Sequence, residues 1–326
     1  MILFLLFALT LQCASSAVAA EETVVVPAKK RPTVALALGG GGTRGVAHVG
    51  VLRVLQKEGI PIDYIAGTSM GAIVGGLFSA GCSTEEIEDR LLNKSLLHSF
   101  NTVPIPVRLA VVPIFFVPHV FGYHPLDGLY RGKKFASYLN KAVPESRRQL
   151  EELKIPFCAV ASNLLDGKPY AITTGNLGEA LQASSAIPVL RKPVQLGDKL
   201  LVDGGISANL PCRQARAMGA DIVIGVDVDE DFQGSTDKEF HHIFSVAPRA
   251  VSVILSSIDE SQRKEADIII HPDVNGIRLL SGKKAVGLRA LEAGMKAAEA
   301  AIPAIKARLG QAKIAGGEEC SPQPPP

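Results

Sequence analysis

Short apolar runs and segments of helical period alternate along this chain, with glycine and proline at the changeovers. Thr33 to Leu38 is a run of strand formers, and four glycines, Gly39 to Gly42, follow at once. A helical period then takes over. Val46, Val49, Leu52, Val54 and Leu55 are apolar, while Arg53, Gln56, Lys57 and Glu58 are polar. Gly59 and Pro61 stop that helix. Pro61 to Ala66 is a second strand. It leads into Gly67-Thr68-Ser69-Met70-Gly71 and a helix of small residues that includes Ala72, Gly75, Gly76 and Ala80.

Further on, Ser83-Thr84-Glu85-Glu86 has the form of a capping box opening a helix through about Asn93. The pattern predicts helices at Gly132–Val143, Leu177–Ser184, Pro211–Met218, His242–Ser257 and Lys283–Leu309. It predicts strands at Ile155–Ser162, Lys199–Val202, Asp221–Asp227 and Asp267–His271, with Lys168–Thr173 an edge strand after the Asp166-Gly167 turn. Strands and helices alternating in this way imply an α/β fold with a mostly parallel sheet covered on both faces.

Composition narrows the picture. The 326 residues suffice for one large α/β domain or two small ones. A net charge of +2 and 20% charged residues give no sign of nucleic-acid binding, and 47% apolar residues allow a sizeable core. Met1–Ala20 has the apolar run of a signal peptide, with small residues for cleavage at Ala17-Val18-Ala19 and Val18-Ala19-Ala20. It lacks a basic residue, so a short retained anchor is the other reading. Gln12 before Cys13 is a poor lipoprotein site. Export to the periplasm or envelope, or secretion, is the expectation.

Residues 21–31 then form a polar linker, 32–310 the folded domain and 311–326 a proline-rich tail expected to be disordered. Cleavage leaves Cys82, Cys158, Cys212 and Cys320, which allow three pairings. The first three stand in apolar surroundings, which favours buried free thiols. No spacing suggests zinc, so no metal is expected.

The chemistry concentrates at the second strand. Gly67-Thr68-Ser69-Met70-Gly71 fits the G-x-S-x-G elbow, in which a strained strand-to-helix turn projects a serine hydroxyl. Glycines at Gly67 and Gly71 let backbone pass closely, and the following helix points its positive end at the reacting centre. Gly40-x-Gly42-x-x-Gly45 also satisfies a dinucleotide fingerprint. That motif needs an acid at the end of the second strand to hold a ribose, and the serine elbow occupies that place. Consecutive glycines better suit a row of amides for an oxyanion. Later, Lys199–Val202 runs into Asp203-Gly204-Gly205, an acid at a strand's carboxyl end.

In order, LGGGGTRGVAHVGVL, IAGTSMGAIVGG, ASSAIP and VDGGISANLP make the chain resemble the patatin-like phospholipases, more closely their bacterial and neuropathy-target-esterase-like branch. The resemblance covers roughly Pro32 to Asp229. It implies a three-layer α/β/α sandwich and lipid acyl hydrolysis by a Ser–Asp dyad, without cofactor. Carried over, Ser69 is the nucleophile and Asp203 the base, with the Gly40, Gly41 and Gly42 amides as oxyanion hole. Arg44 matches the basic residue closing the glycine motif, and Gly67, Gly71 and Gly204 support the turns.

The residues make sense of a dyad on their own. His98, His119, His124, His241, His242 and His271 lie outside any triad motif, and His48 reads as a histidine bonded at a helix–sheet junction. The implied partner is a phospholipid or other lipid ester; oligomeric state is not fixed. Val103 to Gly122 is long and apolar, but Pro104, Pro106, Pro113, Pro118 and Arg108 exclude a spanning helix. It is either an apolar flap meeting the membrane surface or a loop folded against the core. The rival functions are an acyltransferase using the same acyl-enzyme, a lipid-binding protein with little turnover, and a nucleotide-dependent oxidoreductase.

Overall fold

The computed structural model describes residues 31–93, 95–100, 130–232, 237–241 and 246–315. The expected signal peptide at Met1–Ala20, linker residues 21–30, the Val103–Gly122 stretch, Cys320 and the Gly316–Pro326 tail lie outside them.

Among the described residues, eight strands make one sheet. β1 (Val34–Leu38), β2 (Tyr64–Thr68), β3 (Phe157–Asn163), β7 (Ile222–Val226) and β8 (Ile268–Ile270) run parallel in the order β3-β2-β1-β7-β8. They are short apolar runs because both faces are covered. Val34, Leu36 and Leu38 of β1 join the larger core, with α1 (Ala47–Lys57), α2 (Met70–Ser79) and α3 (Thr84–Leu92). Ala35 and Ala37 of the same strand face a second core of small side chains. There Ala66 and Cys158 meet Cys212 and Ala215 of α7 (Cys212–Ala217). Alternation along one strand thus separates the two helical layers.

The parallel reading holds for this half only. β4 (Pro169–Ile172), β5 (Val194–Leu196) and β6 (Lys199–Asp203) add three antiparallel pairings, and β5 was not foreseen. Three residues of mixed exposure give β5 almost no periodic signal. The antiparallel half fixes a geometry that matters below. Ala159 and Val160 of β3 pair with β2 on one edge and β4 on the other, while Ala161 and Ser162 pair with β4 and β6. A strand has only two edges, so β2 and β6 share one. On that edge Val160 faces Thr68, and the next residue, Ala161, faces Asp203. The two strands therefore meet end to end.

The remaining helices follow the pattern with shifted ends. The capping box at Ser83 forms as expected, with Glu86 N–H on the Ser83 hydroxyl (3.2 Å) and Ser83 N–H on the Glu86 carboxylate (2.8 Å). α4 (Ser95–Phe100), α5 (Lys133–Lys141) and α6 (Leu177–Ser184) precede β5. α8 (Val246–Arg263) continues past the expected Ser257, and α9 (Lys284–Ala315) continues past Leu309 with Pro303 inside it. The C-terminal helix thus reaches into the segment assigned to the tail. α9 lies closely against α1: a Cβ on Gly50 would strike the Leu291 carbonyl, and one on Gly294 that of Ala47. Cys82, Cys158 and Cys212 are free and buried, and burial pushes the Cys158 thiol up to about 12.

Candidate active site

Ser69 stands between β2 and α2 with φ 52° and ψ −116°, a conformation that side-chain-bearing residues rarely adopt. The turn is tight because α2 starts directly against the sheet. A Cβ on Gly71 would collide with the Leu38 carbonyl at the end of β1, and one on Gly67 with the backbone of Ala72. The Ser69 N–H donates to Ser184 Oγ (3.0 Å), whose own hydroxyl donates to the Val160 carbonyl (2.5 Å). The preceding Thr68 hydroxyl donates to the Ala208 carbonyl (2.8 Å).

The end-to-end junction of β2 and β6 brings Asp203 to this corner. Ser69 Oγ donates to Asp203 Oδ2 at 2.7 Å across 134 residues of sequence, and the Gly205 N–H donates to Oδ1 at 2.9 Å. Gly204 is packed so closely that a Cβ there would meet the Val160 carbonyl. Asp203 is only 7% exposed. Burial pushes its carboxyl up to about 6, against the pull of the Gly205 and Ser69 hydrogen bonds.

The glycine loop meets the elbow from β1. Its first two amides are already engaged: Gly39 N–H donates to the Val226 carbonyl (3.1 Å) and Gly40 N–H to the Asn209 carbonyl (3.0 Å). This corrects the expectation that Gly40 offers its amide to an oxyanion. The cause is the Asn209 backbone, which closes over the loop. Gly40 serves by its missing side chain instead, since a Cβ there would strike Asn209 Oδ1 and come within 3.3 Å of Ser69 Cβ. Among the described residues no acceptor stands against the Gly41 or Gly42 amide. Gly42 has φ +54° and leaves no room for a Cβ beside the Leu279 carbonyl.

Arg44 does not face the dyad. It is buried, its Nε donating to the Ile277 carbonyl (2.7 Å) and its Nη2 pairing with Glu230 (2.7 Å), so it anchors the loop to the C-terminal segment. His48 is fully buried, and its Nε2–H donates to the Gly39 carbonyl (2.7 Å). Desolvation lowers its pKa to about 4 and keeps it neutral. It is the junction histidine that the sequence suggests. His241 lies near Asp237 and His271 near Asp227, while His119, His124 and His242 and the His98 side chain are outside the described residues.

Two residues of the corner were missed as such. Ser184 and Asn209 stand in the ASSAIP and VDGGISANLP segments, but nothing in their spacing assigns them a contact. Asn209 bridges Asp229 (3.3 Å) and Asp259 (2.9 Å) through Nδ2 while its carbonyl holds Gly40.

Ser69 opens on a small cleft of about 90 Å³. Gly42 borders it beside the serine, and Val46, Ile73, Leu92, Leu96 and Leu279 give it an apolar wall. The arrangement sets a hydroxyl against a buried carboxylate, close to the glycine loop and beside an apolar cleft. Among the described residues no cluster of His, Cys, Asp or Glu is placed to hold a metal.

Residues 36–216 match the family described as patatin-like phospholipase. An uncharacterized NTE family protein of Mycobacterium tuberculosis is 34% identical over 212 residues, 64% of this chain and 53% of that protein. Patatin-like phospholipase domain-containing protein 7 of Rattus norvegicus is 34% identical over 197 residues, 60% of this chain and 13% of that protein. The chain thus spans about half the length of the mycobacterial relative. Among solved structures, VipD from Legionella pneumophila aligns over 88% of this chain and 67% of its own, at 14% identity and a TM-score of 0.47.

Proposed function

The chain belongs to the patatin-like phospholipase family, and on that premise we propose that it is a serine lipid acyl hydrolase acting through Ser69 and Asp203. The observation that carries the reading is the 2.7 Å hydrogen bond from the Ser69 hydroxyl to a buried carboxylate at the mouth of an apolar cleft. The substrate is a phospholipid or related ester whose acyl chain occupies that cleft.

In the proposed mechanism Ser69 Oγ attacks the ester carbonyl while its proton passes to Asp203 Oδ2. The Gly41 and Gly42 amides, with Met70 at the start of α2, hold the tetrahedral oxyanion. Collapse breaks the bond to the alcohol, which leaves with the proton from Asp203. Water then attacks the acyl-enzyme, giving its proton to Asp203; this returns to Ser69 as the acid departs. A carboxylate raised to about 6 is a better base than an exposed one and is still ionised at neutral pH. One oxyanion donor contributes about 3 kcal/mol to such a step.

The test is to trap the purified chain with a fluorophosphonate, locate the adduct, and assay phospholipids and short esters, with and without an acceptor alcohol. An adduct on Ser69 and release of free fatty acid support the reading. Transfer to the alcohol in place of release would make the protein an acyltransferase. No adduct would remove the nucleophile. Export with loss of Met1–Ala20 belongs to the same proposal, and N-terminal sequencing of the mature protein decides it.

A further inference from the structure

Arg191 is 2% exposed, yet among the described residues no carboxylate faces it. Its Nη2 donates to the Phe100 carbonyl (2.7 Å), while Nε and Nη1 have no hydrogen-bond partner among the described residues. The guanidinium sits in the corner of two perpendicular rings, with Cζ 3.9 Å from the Phe100 centroid and 4.5 Å from that of Phe135. Ring faces attract a cation but accept no in-plane N–H bond. Burial pushes its pKa down to about 10, which leaves it charged at neutral pH.

The free Nη1 lies near a helix start, which the Gln182 amide also approaches. A Cβ on Gly132, which caps α5 at φ +78°, would lie 2.8 Å from Arg191 Nη1. α5 has no side-chain cap and no acid in its first turn; its first two residues are Lys133 and Lys134, both exposed. Cations at the positive end of a helix repel its unpaired amides, where an anion is favoured. Arg131 adds a further charge to the same pocket. Three basic side chains, a helix N-terminus and a buried arginine with two idle nitrogens thus converge where, among the described residues, no acid stands. Phe100 borders both this pocket and the cleft that opens on Ser69.

We propose that the pocket between Arg191 and the N-terminus of α5 binds the phosphate of an ester-lipid substrate whose acyl chain lies in the adjoining Ser69 cleft. The inference rests on the acyl hydrolase reading and names the chemical class of its substrate. Arg191 supplies the buried charge-assisted bonds, the Lys133 and Lys134 amides cap the phosphate oxygens, and the lysine and Arg131 side chains neutralise the rest.

The test uses the full chain and a Lys133→Glu/Lys134→Glu variant, whose changes lie on an exposed surface, with circular dichroism as the check on folding. Each is assayed on phosphatidylglycerol and on diacylglycerol of the same chains in the same detergent micelles. The expected result is at least a tenfold fall in the ratio of kcat/KM for phosphatidylglycerol to that for diacylglycerol. Arg191→Met is expected to move the ratio the same way, with partial recovery in Arg191→Lys. In parallel, inorganic phosphate is titrated against the melting temperature. Stabilisation of the wild type that the double variant loses supports the site. If it occurs while the lipid ratio stays fixed, the occupant is free phosphate and the headgroup assignment is overturned. An unchanged ratio without phosphate stabilisation overturns the site altogether. If the wild type cleaves no ester, the hydrolase reading fails, and the phosphate titration alone decides whether the anion pocket stands.

Discussion

The corner that carries Ser69 and the corner that carries Asp203 are both held in unfavourable states, but by different means. Ser69 comes from the parallel half of the sheet and is strained in its backbone, at φ 52° and ψ −116°. Asp203 comes from the antiparallel half and has ordinary backbone angles, φ −49° and ψ 131°; its cost is a carboxylate removed from water. Backbone strain does not depend on pH, whereas desolvation of a charge exists only while the charge does. The proposed chemistry needs both. A projecting hydroxyl requires the first, and a base strong enough to use it requires the second.

The largest way to break this comparison is to remove either member. Ser69→Ala and Asp203→Asn are each expected to lower ester turnover on the order of 10⁴-fold or more, measured as kcat/KM on a short nitrophenyl ester. Near-normal turnover in Asp203→Asn would sink the dyad. Next comes pH. Because the base must be ionised, kcat/KM is expected to rise with pH through an apparent pKa of about 6, read from initial rates between pH 4.5 and about 8. An acid limb near pH 4 would mean that Asp203 is not desolvated in the working enzyme.

Stability sharpens the contrast. Asp203 has a folded-state pKa of about 6 against an ordinary value of 3.8, so the unfolded chain holds the charge more readily. The folded state is therefore relatively favoured below pH 4 and loses that advantage as pH rises through about 6. Asp203→Asn is accordingly expected to stabilise the protein by up to about 3 kcal/mol at pH 8, and not at all below about pH 4. Ser69→Gly relieves the backbone strain, so a gain of about 1–3 kcal/mol is expected in denaturant melts below about pH 4, where Asp203 is uncharged; at pH 8 loss of the hydrogen bond to the Asp203 carboxylate reduces that gain. If the two variants showed the same pH dependence, the distinction between strain and desolvation would be wrong.

Much of the parallel half was legible in the sequence. Each strand there is built on a short apolar run, β1 ends directly at glycine, and each motif is local, so Gly67 to Gly71 declares its own turn. The position of Asp203 beside Ser69 was legible only through the family resemblance. No periodicity shows that β6 pairs antiparallel beyond the end of β2, because that arrangement is a property of β3's two edges. The engagement of the Gly40 amide by Asn209 was hidden for the same reason: it joins segments far apart in sequence. Arg191 stayed silent because an arginine after a proline-containing loop looks like a surface residue until Phe100 and Phe135 enclose it.

The end-to-end meeting of β2 and β6 has a consequence for the chain during its synthesis. The nucleophile, its turn and the glycine loop all lie before residue 80, whereas the acid arrives only after β3 and β6 have docked. A nascent or truncated polypeptide would carry the serine without its proton acceptor. Cleavage of esters would then start only once the later strands are in place, so the appearance of activity in a refolding time course would report completion of the sheet.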